Sequence, residues 1–399
     1  LVALVGFFAF APTLMLGAFG GLLADRVDRR RLLVATNSVN LIVAVTMTIV
    51  LNTDLERYWQ AYLVIFAIGT GRALDFPSRR SVIHDLLGDS AVTNGIALDS
   101  VGMYSSKMLG PAVAGGLITL VNVAGGFAVV SGFYLAAVAL MWSLKLVEDT
   151  TTRRVPGEIQ RGDGPSTKEQ AGRHLTGARE IAINLARGFR YVRGENVILA
   201  TVLITVLMNL FLYPYQQMVP IIARDMLNVG PGLMGVLLSA EGIGAMVGAI
   251  AIASLGHFRY QGRVYIAGTM LAMVSLLVFS FSRHYGISIA LLVVLGLGAA
   301  AFGTMQATIV MLAARTEMRG RALGIISLAI GTMPLGSLMI GGIATVTSPN
   351  FAIGLTAVLG LGLVATVVLL MPSLRGRIVP DESHAANTRE PVTRTAVVE

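Results

Sequence analysis

Eleven apolar runs dominate this sequence, and each is about as long as a membrane-spanning helix. A bilayer core about 30 Å thick needs roughly 20 apolar residues per spanning helix. Hydrophobic residues make up 55% of the 399 positions and charged residues only 13%, against about 25% charged in a soluble domain. The runs are 1–24, 31–51, 58–76, 94–120, 122–147, 197–222, 232–256, 264–282, 286–312, 321–347 and 351–372. We therefore predict an all-α polytopic membrane protein.

The loop arginines alternate between the two sides of the predicted membrane. One side carries Arg26, Arg29, Arg30, Arg31, Arg79, Arg80, Arg259, Arg263, Arg315, Arg319 and Arg321, and the other carries Arg57, Arg224 and Arg283. Cytoplasmic loops are enriched in Lys and Arg. The pattern predicts a multi-pass protein of the inner (plasma) membrane with a cytoplasmic C-terminus. Because the net charge of +8 is spread over alternate loops rather than gathered on one face, we expect no nucleic-acid partner.

Several classes of protein are disfavoured by what the sequence contains. It has no cysteine, which excludes disulfides, thiolate metal sites and cysteine nucleophiles. The five histidines lie mainly in predicted loops without ligand spacing, so we expect no enzyme, metal or cofactor. Their positions are His84, His174, His257, His284 and His384. The orientation puts Leu1 outside the cytoplasm and inside an apolar run without an initiator Met, so we expect that a first helix is missing from this copy.

Ionisable residues in the first half of the chain lie inside the predicted bilayer. Arg72 and Asp75 are three residues apart and share a helix face. Asp99, Tyr104 and Lys107 follow in one run, with Lys107 near the midplane at about 1.5 Å per residue. A charge at the bilayer centre costs about 2.5 to 3.5 kcal/mol, so such residues usually face a cavity or a partner. Mutual neutralisation of Arg72 and Asp75 is the simpler alternative.

The second half carries one carboxylate at the same predicted depth. Glu241 stands about ten residues from the outer end of its run, near the midplane like Lys107. The preceding run contains Asn209, Tyr213, Gln216 and Gln217 and is more polar than a lipid-facing helix requires. The glycines at 242, 244 and 248 follow no strand and lie in a helical run, so they favour close helix packing over a nucleotide loop.

Two short motifs have both a functional and a simple structural interpretation. In the turn 21–33, Gly21 and Asp25 are four apart and arginines follow, so the carboxylate can meet a neighbouring helix N-terminus while the arginines face lipid phosphates. A plain positive-inside loop is equally compatible. The second motif, GPAVAGG at 110–116, lets another helix approach closely, and its proline weakens the helix. Packing alone would also explain it.

An internal repeat predicts the domain organisation. A shift of 226 residues places Leu109, Gly110, Gly115 and Gly116 on Leu335, Gly336, Gly341 and Gly342. Residues 148–176 are polar and lack periodicity, and from 177 a basic amphipathic pattern predicts a helix on the inner leaflet. We predict helical bundles at 1–147 and 197–373, a cytoplasmic linker with an amphipathic helix at 148–196, and a disordered tail at 374–399. Parallel repeats of this kind are typical of one class of transporters.

These motifs together resemble the major facilitator superfamily, in the branch that includes the enterobactin exporter and macrolide efflux pumps. The residues that match its signature loop are Gly21, Asp25, Arg26, Arg29 and Arg30, with Asp28 where a glycine is usual. The residues that resemble its antiporter motif are Gly110, Pro111, Gly115 and Gly116, with Ala114 in place of the first paired glycine. The resemblance covers essentially all of 1–372 and implies two pseudo-symmetric six-helix bundles, of which the family's first helix is absent here.

The resemblance also implies a mechanism of alternating access, in which the two bundles rock about a central cavity. The family's fifth and eighth helices lie side by side, which would bring Lys107 and Glu241 close enough to pair. Asp25 would act as a latch by docking against the start of the run at 321. Replacing Asp25 with Asn should then reduce transport without preventing insertion.

From these features we predict proton-coupled export of an amphipathic, drug-like or siderophore-like small molecule by a monomer embedded in lipid. Glu241 or Asp99 would take up and release protons, since burial favours the neutral carboxyl group and a nearby lysine favours the ionised one. A static ion pair that closes one conformation is the alternative role. Lipid or metabolite transport, import, and a nontransporting sensor or scaffold also remain open.

Overall fold

The computed structural model describes residues 4–12, 29–53, 55, 57–143, 186–255, 260–315 and 318–377. For residues 29, 30, 58 and parts of the stretch 76–104 it describes the backbone alone. These residues form helices joined by short turns, without a strand in the described ranges. Gly21, Asp25, Arg26 and most of the linker 148–196 lie outside them, as does the tail from 378. The predicted all-α fold is confirmed.

The described residues of the first half form three helices. They are α1 at 4–12, α2 at Arg29–Asn52 and α3 at Tyr58–Ser143. The second half comprises α4 at 186–194, α5 at Asn196–Leu207, α6 at Val219–Asp225, α7 at Pro231–Leu255, α8 at Gln261–Phe279, α9 at Tyr285–Ala313, α10 at Arg319–Ile330, α11 at Met333–Val346 and α12 at Pro349–Leu370.

Helix α3 covers three predicted runs and folds back on itself. Its 86 residues would extend about 130 Å if straight. Yet the side chains of Arg79 and Asp99 meet at 3.5 Å, although 20 residues of straight helix span about 30 Å. A second change of direction lies at Asn122, whose φ is 69° and whose Oδ1 accepts the Gly125 N–H. The placement of Arg79 and Arg80 in a loop is therefore wrong, because the backbone there is helical.

Eight helical segments of the described chain are long and apolar enough to cross a membrane. One of them, Val101–Ser143, has 43 residues and joins the runs 94–120 and 122–147, which is enough for two crossings. The run 58–76 lies in α3 but is less apolar, since it contains Gln60, Arg72 and Asp75. Only residues 4–12 of the first run are described as a helix.

The hydrophobic core lies in the second half. Buried residues of every long helix from α5 to α12 except α10 meet in one cluster, with Tyr265, Met273 and Phe302 among its largest side chains. A smaller cluster joins α4 to α10 through Val192, Ile325 and their neighbours. Helix α4 therefore packs on the protein through Val192, whereas its Phe189 is exposed.

The segment between α5 and α6 is not a regular α-helix. A π-helical turn at Met208–Leu212 leads into a 3₁₀ turn at Tyr213–Gln217. Pro214 within this segment has no N–H to give to the preceding turn, and Gly336 of α11 lies against the carbonyls of Asn209 and Leu210. The irregular segment therefore sits inside the protein, where irregular backbone at membrane depth is tolerated.

The two halves meet along two pairs of helices. At one contact, Gly6 of α1 packs so closely on Ser337 of α11 that a Cβ at Gly6 would lie 2.6 Å from the serine Oγ. At the other, α3 packs along α7. The second contact carries the ion pair predicted between the halves.

Candidate functional site

Lys107 and Glu241 form an ion pair across the contact of α3 and α7. The lysine Nζ lies 2.8 Å from Oε1 of the glutamate. Glu241 is 4% exposed, whereas 46% of the Lys107 side chain is exposed. The predicted contact is thus present, with a buried anion facing a half-exposed cation.

The other oxygen of Glu241 is held by two donors from the irregular segment. Tyr215 donates its hydroxyl proton and Gln216 its side-chain N–H to Oε2, each at 2.7 Å. Tyr215 is buried and its ring meets Phe279 edge-on. An ionised carboxylate is a pure acceptor, so three donors from two halves match its charged form. Removing its charge would leave this set of donors without an equally good acceptor.

Sequence reasoning selected Gln216 but not Tyr215 as a site residue. The signal was present in the sequence YPYQQ, which interrupts an apolar run with polar and aromatic residues around a proline. Periodicity alone does not show that a 3₁₀ turn forms there, so two adjacent residues were not expected to reach one carboxylate.

Glycines bring α3 and α7 close enough for the ion pair to form. A Cβ added at Gly115 would lie 2.3 Å from the Pro231 carbonyl oxygen, and one at Gly235 would lie 2.3 Å from that of Pro111. Ser239 strengthens this close contact of α3 and α7, the glycine seam, because its Oγ accepts the Ala112 N–H at 3.0 Å. Backbones can approach this closely only where small residues face each other.

The predicted glycine motif at 110–116 is divided between two faces. Gly115 and Pro111 belong to the seam with α7, whereas Gly110 and Gly116 have open space where a side chain would be. Gly110 lines an apolar groove of about 640 Å³ between the two arms of α3. The walls of this groove include Val113, Phe127 and Phe133, and none of its described lining residues is ionisable.

The other ionisable residues predicted in the first half form a separate cluster. Asp75 pairs with Arg79 one turn further along α3 and not with Arg72, and the same arginine reaches Asp99. The alternative left open by the sequence, mutual neutralisation of Arg72 and Asp75, is therefore not what the structure shows, because Asp75 pairs with Arg79. The Arg72 guanidinium instead lies 5.9 Å from the centre of the Phe10 ring, a cation–π geometry.

Asp99 is eight residues from Lys107, about 12 Å along a helix, and its partner is Arg79. The side chain of Tyr104 is not described. The structure therefore does not bring Asp75 or Asp99 to Glu241.

Asn209 is buried but donates to the Thr205 carbonyl within its own helix. It belongs to a polar cluster inside the second half that sequence reasoning did not select. Gln306 donates to the Thr205 hydroxyl at 2.6 Å, and the Tyr265 hydroxyl donates to the Thr201 carbonyl. These contacts satisfy buried polar groups among α5, α8 and α9, and no charged residue takes part in them.

No group of three or more His, Asp or Glu residues within the described ranges could hold a metal ion. At the contact between the two halves, the described site residues form an ion pair and donate hydrogen bonds to one carboxylate.

This arrangement, a two-part bundle of membrane helices with a buried charge pair between its parts, defines a membrane transporter rather than a soluble binding protein. The chain belongs to the Major Facilitator Superfamily, whose family model matches residues 1–335.

Three curated relatives are each similar to more than half of this chain. The uncharacterized MFS-type transporter YfiS of Bacillus subtilis is 24% identical over 65% of this chain, and the match covers 56% of that relative's length. The staphyloferrin A transporter of Staphylococcus aureus is 21% identical, and macrolide efflux protein A of Streptococcus pyogenes is 20% identical. Each of the latter two matches covers 85% of this chain and 79% of the relative.

Solved structures share the fold. A crystal structure of the peptide transporter POT has a TM-score of 0.69 at 15% identity, covering 94% of this chain and 86% of that one. A POT family transporter in complex with 5-aminolevulinic acid has a TM-score of 0.67 at 11% identity, covering 93% and 87%. At these identities the likeness concerns the fold alone.

Proposed function

We propose that this protein exports an amphipathic small molecule in exchange for protons by alternating access, and that Glu241 is the proton-exchanging group. The observation that carries this proposal is a buried carboxylate that binds donors from both halves at their contact. A group in that position can make the arrangement of the halves depend on its own charge.

Protonation of Glu241 would change the contact in two ways. It would remove the attraction of the carboxylate for Lys107, which is strong only between unlike charges at short range in a poor solvent. It would also put a proton on an oxygen now surrounded by donors, so a donor must turn away or accept. Both effects weaken the bond between α3 and α7 and favour a conformation in which the halves have moved.

The half-exposed side of Lys107 gives the pair a route to solvent or substrate. A proton acceptor that was sealed on every side could not exchange its proton within a transport cycle. Because the ammonium is the one partner of Glu241 with substantial exposure, we infer that proton and substrate reach the site from the Lys107 side.

Asp99 is the weaker of the two predicted proton carriers. Its partner, Arg79, is half exposed and shared with Asp75, and exposed pairs of this kind contribute little. We therefore assign proton exchange to Glu241 alone. The latch role of Asp25 remains a prediction, since that residue lies outside the described ranges.

The substrate class is inferred from the relatives, which are named for staphyloferrin A and for macrolides. We propose an amphipathic drug-like or siderophore-like molecule, moved by two halves assigned to 1–147 and 197–373. We also propose that the protein is a monomer in the plasma membrane. The distribution of loop arginines supports a cytoplasmic C-terminus.

A transport assay in vesicles tests the proposal. The protein is reconstituted in lipid vesicles, and a panel of macrolides and siderophores is screened for movement driven by a pH gradient. Glu241→Gln should abolish gradient-driven transport while keeping substrate exchange at equal pH, because the neutral amide removes only the proton step. Glu195→Gln, the same change in the linker directly before α5 and outside the site, should behave as the wild type.

Tyr215→Phe gives a graded version of the same test. It removes one hydrogen bond to a charged group, a loss worth about 1.5 to 3 kcal/mol, so gradient-driven transport should fall by roughly tenfold or more. Full gradient-driven transport by Glu241→Gln would eliminate the proposed role of this carboxylate.

A further inference from the structure

A second polar site lies at the end of the second half, far along the chain from the ion pair. A pocket of about 320 Å³ opens between the first turn of α8, the last turn of α12 and the 3₁₀ turn Pro372–Arg375. Two arginines, Arg263 and Arg375, line it together with the apolar residues Ile266, Ala267 and Val368. The pocket thus has a cationic rim and an apolar wall.

Both arginines are held in place by the backbone. Arg263 donates from Nε to the Arg375 carbonyl at 3.1 Å, and its guanidinium lies 4.1 Å from the centre of the Tyr260 ring. Arg375 donates from Nη2 to the Val368 carbonyl at 2.8 Å. These contacts fix the direction of each guanidinium without neutralising its charge.

The 3₁₀ turn that carries Arg375 is locked against α8. A Cβ at Gly262 would lie only 1.7 Å from the Leu374 carbonyl oxygen, and Leu374 itself is fully buried. Only glycine allows this approach, so the two arginines are kept side by side by the fold rather than by chance surface geometry.

Neither arginine is paired with a carboxylate in the part of the chain that the structure describes. Each guanidinium has five N–H donors, and the contacts above use one from each. Two fixed cations with spare donors form a site for an anion with several oxygens, and guanidinium binds phosphate in a bidentate manner.

The position of the pocket indicates where that anion comes from. It lies at the ends of two membrane-spanning helices, on the face that carries most loop arginines. Leu369 and Leu370, next to Val368 at the end of α12, are exposed. A soluble anion would gain nothing from the apolar wall, whereas a lipid headgroup with its chains below would use both parts.

We propose that Arg263 and Arg375 bind the phosphate of an anionic phospholipid from the leaflet at this face. Anionic lipids of the cytoplasmic leaflet attract basic segments near the membrane, by about 1 kcal/mol for each Lys or Arg. The site is independent of Glu241 and would exist whatever the transported substrate is.

The test compares lipids and variants in the full chain. The protein is placed in nanodiscs of phosphatidylcholine or of an equimolar mixture with phosphatidylglycerol, and bound lipid is counted by native mass spectrometry after release. Wild type should retain phosphatidylglycerol in preference to phosphatidylcholine. The double variant Arg263→Gln/Arg375→Gln should lose that preference, with affinity falling roughly fivefold for each arginine.

Three further arms keep the proposal open to refutation. Arg224→Gln/Arg283→Gln, an equal loss of two charges on the opposite face, should leave phosphatidylglycerol retention unchanged, and an equal fall there would reduce the effect to net charge. Arg263→Lys/Arg375→Lys keeps both charges if the glutamine variant fails to fold, and it should weaken retention because lysine lacks the fork. Competition by inorganic phosphate as effective as by phosphatidylglycerol would assign the site to a soluble anion and overturn the lipid.

Discussion

The two halves contribute to the ion pair from opposite kinds of surroundings. In the membrane-spanning segment Asn196–Asp225 of the second half, 56% of the most apolar window is buried inside the protein, against 6% for Val101–Ser143 of the first half. Glu241 accordingly receives two donors from its own half and is nearly inaccessible. Lys107 comes from the less buried half and is half exposed.

We infer from this difference that the second half holds the Glu241 carboxylate in place and that the first half supplies the Lys107 cation. Tyr215 and Gln216 belong to the same half as Glu241, so we expect their hydrogen bonds to it to persist if the halves move apart. Lys107 is the one donor whose distance must change if the halves move apart. The following predictions test that division of roles, from the largest expected effect to the smallest.

Lys107→Met should have the largest effect on stability. It leaves a buried anion without its cation, which costs about 3 to 5 kcal/mol in fully buried pairs, and the exposure of Lys107 favours the lower end of that range. Unfolding in detergent, followed by circular dichroism against denaturant, measures the change. The double variant Lys107→Met/Glu241→Gln should recover most of the loss, since no charge then remains unpaired. If the single and double variants were equally unstable, the loss in Lys107→Met would not come from an unpaired Glu241 carboxylate.

Gly115→Val should cost about 1 to 3 kcal/mol, as overpacking of a close contact does, because its Cβ would meet the Pro231 carbonyl. Gly110→Val is the matched control, being the same change in the same motif where the structure has open space. The measurement is the thermal midpoint of each purified variant. If both variants lose the same stability, the seam is not what holds α3 against α7.

Asp99→Asn should change stability by less than about 1 kcal/mol, because its partner Arg79 is half exposed and such pairs contribute little. Transport driven by a pH gradient should persist in this variant. A large loss of coupling in Asp99→Asn, with normal coupling in Glu241→Gln, would reverse the assignment of the proton carrier between the halves.

Much of the fold could be predicted from the sequence because its cause is simple. Spanning helices need long apolar runs, and those runs are visible in composition and length. The pairing of Lys107 with Glu241 was expected from the resemblance to the superfamily, which supplies the neighbour relation of the two helices. The predicted membrane depths agreed with this pairing, since both Lys107 and Glu241 fell near the midplane.

The missed features depend on side-chain reach and on local backbone geometry, which hydropathy does not record. Arg79 was counted as a loop arginine, yet it is one helical turn from Asp75 and long enough to reach Asp99 as well. Tyr215 was passed over because a regular helix would not present it together with Gln216 to one carboxylate. The 3₁₀ turn that does so depends on Pro214 and on packing against α11, a contact between residues distant in sequence.

The glycine seam also fixes the distance between α3 and α7. The helices that carry Gly115 and Gly235 also carry Lys107 and Glu241, so the gap between their axes sets how far apart the two charges can be. A single methyl group added at Gly115 or Gly235 would push the two helices apart. It would lengthen the Lys107–Glu241 ion pair, about two turns away, without touching either charged residue. Evolution can therefore retune the strength of the charge contact by substitutions at apolar positions.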